Sequence, residues 1–359
     1  MHRRQRQRGQ QGQVFGTHGP TLVRAVAASA RFGSDWRTQR GDVMASGRVL
    51  VVGSLNADLV VRTARIPGPG ETVAGSDLVI VPGGKSSNQA AAVGKLGGGV
   101  AMLGCVGDDG NGAMLLDSLK ASGVDTGQVR VLEGVSTGSA MIAVDDAGEN
   151  CIIVSPGANG RLSADDVNAA TDFFATADDS SVLTLCLEVS LEAVKAAARN
   201  ARERGASVVL NISPYMKVGA DLLDLVDILL VNNHELADLT GQAAFEPLGD
   251  WTAVVAATDA ALGASGPRTV VVTLGAQGAR VIDLDAGTVS DQIPSPKVTP
   301  VDTTGCGDAF LAALAFRLAE GDTLTDACAF AVRVGAYAAT GEGAQNSYPT
   351  AEQLAAWTP

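Results

Sequence analysis

Asp302-Thr303-Thr304-Gly305-Cys306-Gly307-Asp308-Ala309-Phe310 sets two glycines and a carboxylate at the head of an apolar run, an order of residue types suited to handling an anion. Glycines at 305 and 307 let the backbone bend so that successive N–H groups converge. A helix predicted from about Ala309 to Glu320 adds its positive N-terminal end to the same spot. Asp308, beside it, can take the proton of a hydroxyl that attacks a phosphate. Gly and Asp are also common in ordinary first turns, so this segment taken singly leaves a plain helix N-terminus open.

Three further groups of residues could bind what such a turn would act on. Asn56 and Asp58 follow the apolar run Val49–Gly53, and a spacing of two puts both side chains on one face of an extended chain. An Asp and an Asn at the carboxyl end of a strand suit a polyol, although an Asx-turn explains them equally well. Gly83-Gly84-Lys85-Ser86-Ser87-Asn88-Gln89 opens a helix reaching to about Leu96, with the Ser86/Gln89 spacing of a capping box. Its glycines permit close approach of a ligand, whose oxygens Lys85 and Asn88 could reach. A Walker A reading fails, because the first glycine would fall at Val79. Gly305-Cys306-Gly307 likewise fails as a dinucleotide fingerprint, because Phe310 stands where the third glycine belongs. Asn232-Asn233-His234-Glu235 has a spacing that either caps a helix or organises the waters of a magnesium ion.

The elements that must position these residues follow βαβ grammar. Val49–Gly53, Val182–Leu187, Ser207–Ile212, Asp227–Val231 and Arg268–Leu274 are apolar runs without period-2 alternation, separated by Ala-rich helical stretches. They predict an α/β fold with a mostly parallel sheet sandwiched by helices. Leu59–Arg65, Glu71–Val81, Gly138–Val144 and Asn150–Ser155, with a hairpin turn at Asp145-Asp146-Ala147-Gly148, predict a small β-sheet lid within about 57–82 and 137–156.

Composition narrows the partners. Residues 1 to 43 hold eight Arg and two Asp, about +6, so the rest carries about −19 of the overall −13. So acidic a body disfavours nucleic acid. The Arg- and Gln-rich start reads as a disordered extension, a transit peptide or a start called too early, since Met44-Ala-Ser-Gly directly precedes the first strand; residues 44–359 form the domain. No apolar run approaches the roughly 18 residues of a membrane span. Five scattered cysteines and a single body histidine, His234, argue for a reducing, cytoplasmic setting and against zinc or a Ser-His-Asp triad.

Taken in order, Gly53-Ser-Leu-Asn56-Ala-Asp58, Gly70-Glu-Thr-Val, Gly83-Gly-Lys-Ser-Ser-Asn88-Gln-Ala, Asn232-x-x-Glu235 and Asp302-Thr-Thr-Gly-Cys-Gly-Asp308 resemble the ribokinase branch of the PfkB sugar kinase family over about residues 47 to 350. The resemblance implies ATP-dependent phosphorylation of D-ribose at the 5-hydroxyl. It makes Asn56, Asp58, Gly84, Lys85, Asn88 and Glu188 sugar contacts and Asp308 the base. Gly305, Cys306 and Gly307 become the anion hole. Asn232, Thr273, Gly275, Gly278 and Gly307 become nucleotide contacts, with Glu235 linked to Mg²⁺, expected through water. Asp302, Thr304, Ala338, Gly343 and Ser347 align with ligands of a monovalent cation, usually K⁺. A homodimer paired through the lid is implied as well. Ser86 and Cys306 stand where such kinases often carry Gly and Ala, and the residue facing the adenine falls near Val332. Deoxyribose, fructose and adenosine are the alternative acceptors. A non-catalytic sugar-binding relative is disfavoured, because a binding module has no need of a base at an anion hole.

Overall fold

Strands buried on both faces tolerate no polar alternation, and the centre of the main sheet obeys that rule residue by residue. The computed structural model describes residues 47–242, 246 and 249–359, so the expectation for residues 1 to 43 lies outside the described part. In chain order the strands are β1 Val49–Val52, β2 Asn56–Arg62, β3 Val79–Gly83, β4 Val100–Gly107, β5 Asp125–Leu132, β6 Gly138–Val144 and β7 Asn150–Ser155. There follow β8 Val182–Leu185, β9 Ser207–Asn211, β10 Ile228–Asn232, β11 Thr269–Thr273, β12 Ala279–Asp283 and β13 Thr288–Val289.

Nine strands form one sheet in the order β13-β12-β11-β10-β9-β8-β1-β4-β5. Pairing is parallel from β5 through β11, and antiparallel only where β12 and β13 extend the edge. β1 lies between β4 and β8 and is wholly buried. Its odd residues, Val49 and Val51, join a core with helices Lys85–Lys95, Cys306–Ala319 and Leu324–Ala338. Leu50 and Val52 face the opposite layer, with helices Leu191–Glu203 and Thr252–Leu262. This is the expected α/β sandwich.

The second sheet, ordered β3-β2-β6-β7, is the lid. Its hairpin turns where expected. The Asp145 carboxylate accepts from the N–H groups of Ala147 and Glu149 at 2.9 and 3.0 Å, and Gly148 N–H closes onto Asp145 C=O at 3.0 Å.

Several boundaries differ from expectation for physical reasons. β3 begins at Val79, not Glu71: over residues 71–78 the chain makes only an isolated bridge, Gly75 to Thr63, before the ladder with β2 starts. β2 starts at Asn56 itself, so the polar pair belongs to the lid's strand rather than to a loop before it. β8 stops at Leu185, three residues short of Glu188. β4 and β5 were not anticipated; glycines 97 to 99 and Gly104 interrupt the apolar signal of the first, and polar residues dilute the second. No Ser86/Gln89 capping box forms: Gly84 is the N-cap, and both side chains lie buried inside the helix.

Candidate active site

The connection from β1 to β2 crosses from the large sheet to the lid in three residues, so Asn56 and Asp58 stand at the hinge between them. Asn56 is buried, and its Oδ1 accepts from Asn159 Nδ2 at 2.7 Å. Asn159 also braces the strand entrance, accepting from Leu55 N–H at 2.9 Å and donating to Leu55 C=O at 3.0 Å. Nothing near Asn159 in the sequence announces this role; its partners are more than 100 residues away.

Across the β2–β3 ladder Asn56 pairs with Gly83, and the Asp58 carboxylate lies where a Gly83 side chain would stand. Gly84 follows at φ 92°, with Asn56 N–H only 2.7 Å from where its Cβ would be. A side chain at 84 would meet both a strained backbone and the start of β2. The sharp turn aims helix Lys85–Lys95 into the site. Lys85 N–H donates to Glu188 Oε2 at 3.0 Å, and Ser54 Oγ donates to the same oxygen at 2.5 Å. Glu188 thus joins the β1–β2 connection to the start of helix Lys85–Lys95 from beyond β8.

Asp308 stands third in helix Cys306–Ala319, which starts three residues earlier than the expected Ala309. It is 7% exposed, and Asn88 Nδ2 donates to its Oδ2 at 2.9 Å. Burial drives its pKa up to about 6, with Glu188 adding to the shift and Lys85 and Asn88 opposing it. Asp58 is pushed further, to about 7, by burial first and then by the charges of Glu188 and Asp308. Lys85 is itself disfavoured as a cation by burial, but Asp308 and Glu188 outweigh that and hold its pKa above the ordinary value. Three carboxyl groups around one ammonium form a polar pocket in which one acid remains available as a base near neutrality.

Gly305 caps this helix in the left-handed conformation at φ 73°. Tyr348 hydroxyl and Ala344 fill the space a Cβ would need. Gly307 is different: a side chain there would meet nothing within 4 Å, so its glycine keeps a ligand approach open. Of the three expected anion-hole donors, Gly305, Cys306 and Gly307, Cys306 N–H is already given to Thr303 C=O at 3.2 Å; further on, Ala309 N–H returns to Gly305 C=O at 2.9 Å. Among the described residues, the N–H groups left without a hydrogen bond at this turn are those of Gly305, Gly307 and Asp308.

Asn232, Thr273, Gly275, Gly278, Cys306 and Gly307 line one cavity of about 680 Å³. Val332, Ala336 and Phe310 give it an apolar wall, as expected near Val332. Asn232 and Thr273 meet in register at the ends of β10 and β11. Ser295, Lys297 and Val298 also line the cavity and were not anticipated, because the stretch before Asp302 has no periodicity. Asn232 and Glu235 form a reciprocal capping box: Asn232 Oδ1 accepts from Glu235 N–H at 2.8 Å, and Glu235 Oε2 accepts from Asn232 N–H at 2.9 Å. His234 is exposed and stands at the cavity's lining beside Asn232.

The residues aligned with a monovalent cation also converge. Asp302 accepts from Thr304 N–H and Gly343 N–H, both at 2.9 Å. Burial opposes its charge, but these bonds hold its carboxyl below the ordinary value. Ala338 C=O accepts from Gly341 N–H at 3.2 Å, and Gly341 packs against Ser347. Among the described residues no three His, Cys, Asp or Glu side chains cluster as a metal site, so any cation here would rely on carbonyl oxygens.

A buried carboxyl bonded to Asn88, one helical step from a glycine turn that lines the cavity, is a layout suited to phosphoryl transfer. A family model described as pfkB family carbohydrate kinase matches residues 46–351. The chain belongs to that family. This carbohydrate kinase is 37% identical over 312 residues to a ribokinase of Schizosaccharomyces pombe, covering 84% of this chain and 95% of that one. It is 33% identical over 307 residues to a deoxyribokinase of Salmonella typhi, covering 85% and 97%. A solved structure of Arabidopsis thaliana ribokinase complexed with ribose and ATP superposes with a TM-score of 0.76 at 30% identity, covering 87% and 98%. Among the described residues, no helix of this kinase is long and apolar enough to cross a membrane.

Proposed function

We propose that the chain transfers the γ-phosphoryl group of ATP to the 5-hydroxyl of D-ribose, with Asp308 as general base. The observation that carries this reading is the junction at residues 306–308: Cys306 and Gly307 line the cavity of about 680 Å³ while Asp308 bonds Asn88 on the side of Asn56, Asp58, Lys85 and Glu188. The Arabidopsis ribokinase of similar fold is complexed with ribose and ATP, which supports a reading with one sugar and one nucleotide.

With sugar bound, Asp308 takes the proton of the attacking hydroxyl. The oxygen forms its bond to the γ-phosphorus as the bond to the leaving ADP breaks, and the proton stays on the Asp308 carboxyl. A pKa near 6 leaves Asp308 mostly ionised at neutral pH yet basic enough to accept. N–H groups of Gly307 and Asp308, at the positive end of the helix, stabilise the transferring group. Asn56, Asp58 and Glu188 hold the sugar hydroxyls. Glu235, 8% exposed beside the cavity, has a carboxylate oxygen beyond its capping bond for the hydration shell of Mg²⁺. Magnesium supplies charge neutralisation on the nucleotide. Asp302, Thr304, Ala338, Gly343 and Ser347 suit K⁺, with one ionised carboxylate and several carbonyls.

The lid supports a homodimer. In β7 the successive residues Ile152, Ile153 and Val154 are 50%, 60% and 56% exposed, so both faces of the sheet present apolar side chains. One face covers sugar; the other calls for a second chain. A coupled ADP-release assay across ribose, deoxyribose, fructose and adenosine, with and without potassium, tests the assignment. Ribose should give the highest kcat/KM and potassium should raise it. A higher value for deoxyribose, the acceptor named by the Salmonella relative, would overturn the choice of sugar.

A further inference from the structure

Gln345 lies 4% exposed between two elements of the site, and its amide is bonded at both ends. Its Nε2 donates to Asn88 Oδ1 at 3.1 Å and to Ser87 Oγ at 3.3 Å, while its Oε1 accepts from Ser118 Oγ at 3.1 Å. The direction of these bonds follows from proton counting. Ser87 spends its single hydroxyl proton on Gly83 and Gly84 carbonyls, which cannot donate, so Ser87 Oγ can only accept from Gln345. The end of Gln345 facing Ser87 and Asn88 is therefore NH₂. Asn88 must answer with its oxygen, and that turns the Asn88 NH₂ toward Asp308.

We propose that Gln345 is a positioning residue that locks the Asn88 amide in the one orientation able to donate to Asp308. Without the lock, Asn88 can rotate its amide and present oxygen to the carboxylate, exchanging a hydrogen bond for a repulsion. The backbone of Gln345 is fixed independently by Lys95 Nζ on its carbonyl, so removing the amide leaves the segment in place. Besides Asn88, the groups around Asp308 are Lys85, Asp58, Glu188, Cys186, Cys306, Tyr348 and the amide of Gln89, which also favours the ionised carboxyl; among the described residues the Gln89 amide makes no hydrogen bond of its own, so Asn88 is the one amide that donates to Asp308, at 2.9 Å.

The inference rests on Asp308 being the base, and the test separates the two. Gln345→Met keeps length and volume but donates nothing. Losing one hydrogen bond to the ionised form should move the acid limb of the kcat profile up by about one pH unit, a roughly ten-fold loss of rate below the limb. The sugar KM should change less than kcat. In the background of Asn88→Ala, Gln345→Met should add no further shift, since Gln345 acts only through Asn88. A Gln345→Met acid limb that coincides with the parent's, or a shift that persists in the Asn88→Ala background, overturns the relay. An inactive Asp308→Asn beside either result leaves the base reading standing. Near-parental turnover by Asp308→Asn removes that reading, and the relay with it.

Discussion

Tyr348 donates its hydroxyl to the carbonyl of Gly305 at 3.0 Å, joining a buried side chain near the C-terminus to the left-handed turn that opens the catalytic helix. The same hydroxyl occupies the space a side chain at 305 would need. One contact therefore both holds the turn and demands glycine in it.

Gly305→Ala should accordingly cost more than its backbone strain of roughly 1 kcal/mol, because the methyl group displaces Tyr348 or Ala344. We expect kcat to fall at least ten-fold, with thermal unfolding a few degrees lower. Tyr348→Phe keeps the packing and loses only the bond, so its effect should be the smaller of the two. Steady-state kinetics and calorimetry on both variants check the order.

Asp308→Asn should lower kcat by the roughly 10²–10⁴-fold typical of a lost general base while sugar and nucleotide still bind. The same variant should be more stable than its parent in the ligand-free state at pH 7. The sign follows from proton uptake: with its pKa raised from 3.8 to about 6, the folded protein holds a proton on Asp308 that the unfolded chain has released. Stability is therefore lost as pH rises through that window. The gain in the variant, up to ~3 kcal/mol, should be full above pH 6 and vanish toward pH 4. Denaturant unfolding at the two pH values reads it directly.

Removing Asn159 tests support of the sugar side without touching the base. Asn159→Ala leaves Leu55 N–H unpaired and frees the Asn56 amide, so the sugar KM should rise about ten-fold while kcat changes little. Equal losses in both parameters would show a general collapse of the hinge instead.

Ile153→Asp on β7 should turn a lid-paired dimer into a monomer in analytical ultracentrifugation, with the large sheet unaffected. A sedimentation coefficient unchanged from the parent would exclude pairing through this face.

Much of the arrangement was legible in the chain because the strongest signals are local. β8 to β11 are short runs dominated by Val, Leu, Ile and Thr, and the glycines at 83, 84, 305 and 307 mark turns by type alone. The hinge pair Asn56 and Asp58 shows a two-residue spacing that β2 preserves. What escaped is held by distant partners: Asn159 meets Asn56 across 103 residues, and Gln345 meets Asn88 across 257. A buried amide carries no periodicity, and its role appears only when both of its ends have found bonds. The open donors of the helix turn escaped for another reason, since the helix begins at Cys306 and takes that residue's N–H into its own cap.

The first turn of helix Cys306–Ala319 also divides the chain's vocabulary. Asn56, Asp58, Lys85, Asn88 and Glu188 come from residues 56 to 188, while the residues lining the cavity come from 232 onward. Residues 306 to 308 join the two, since Cys306 and Gly307 line the cavity and Asp308 bonds Asn88. If the two groups bind the two substrates as proposed, substitutions in the first half retune the acceptor and substitutions in the second the nucleotide, with the transfer step left at one short span between them.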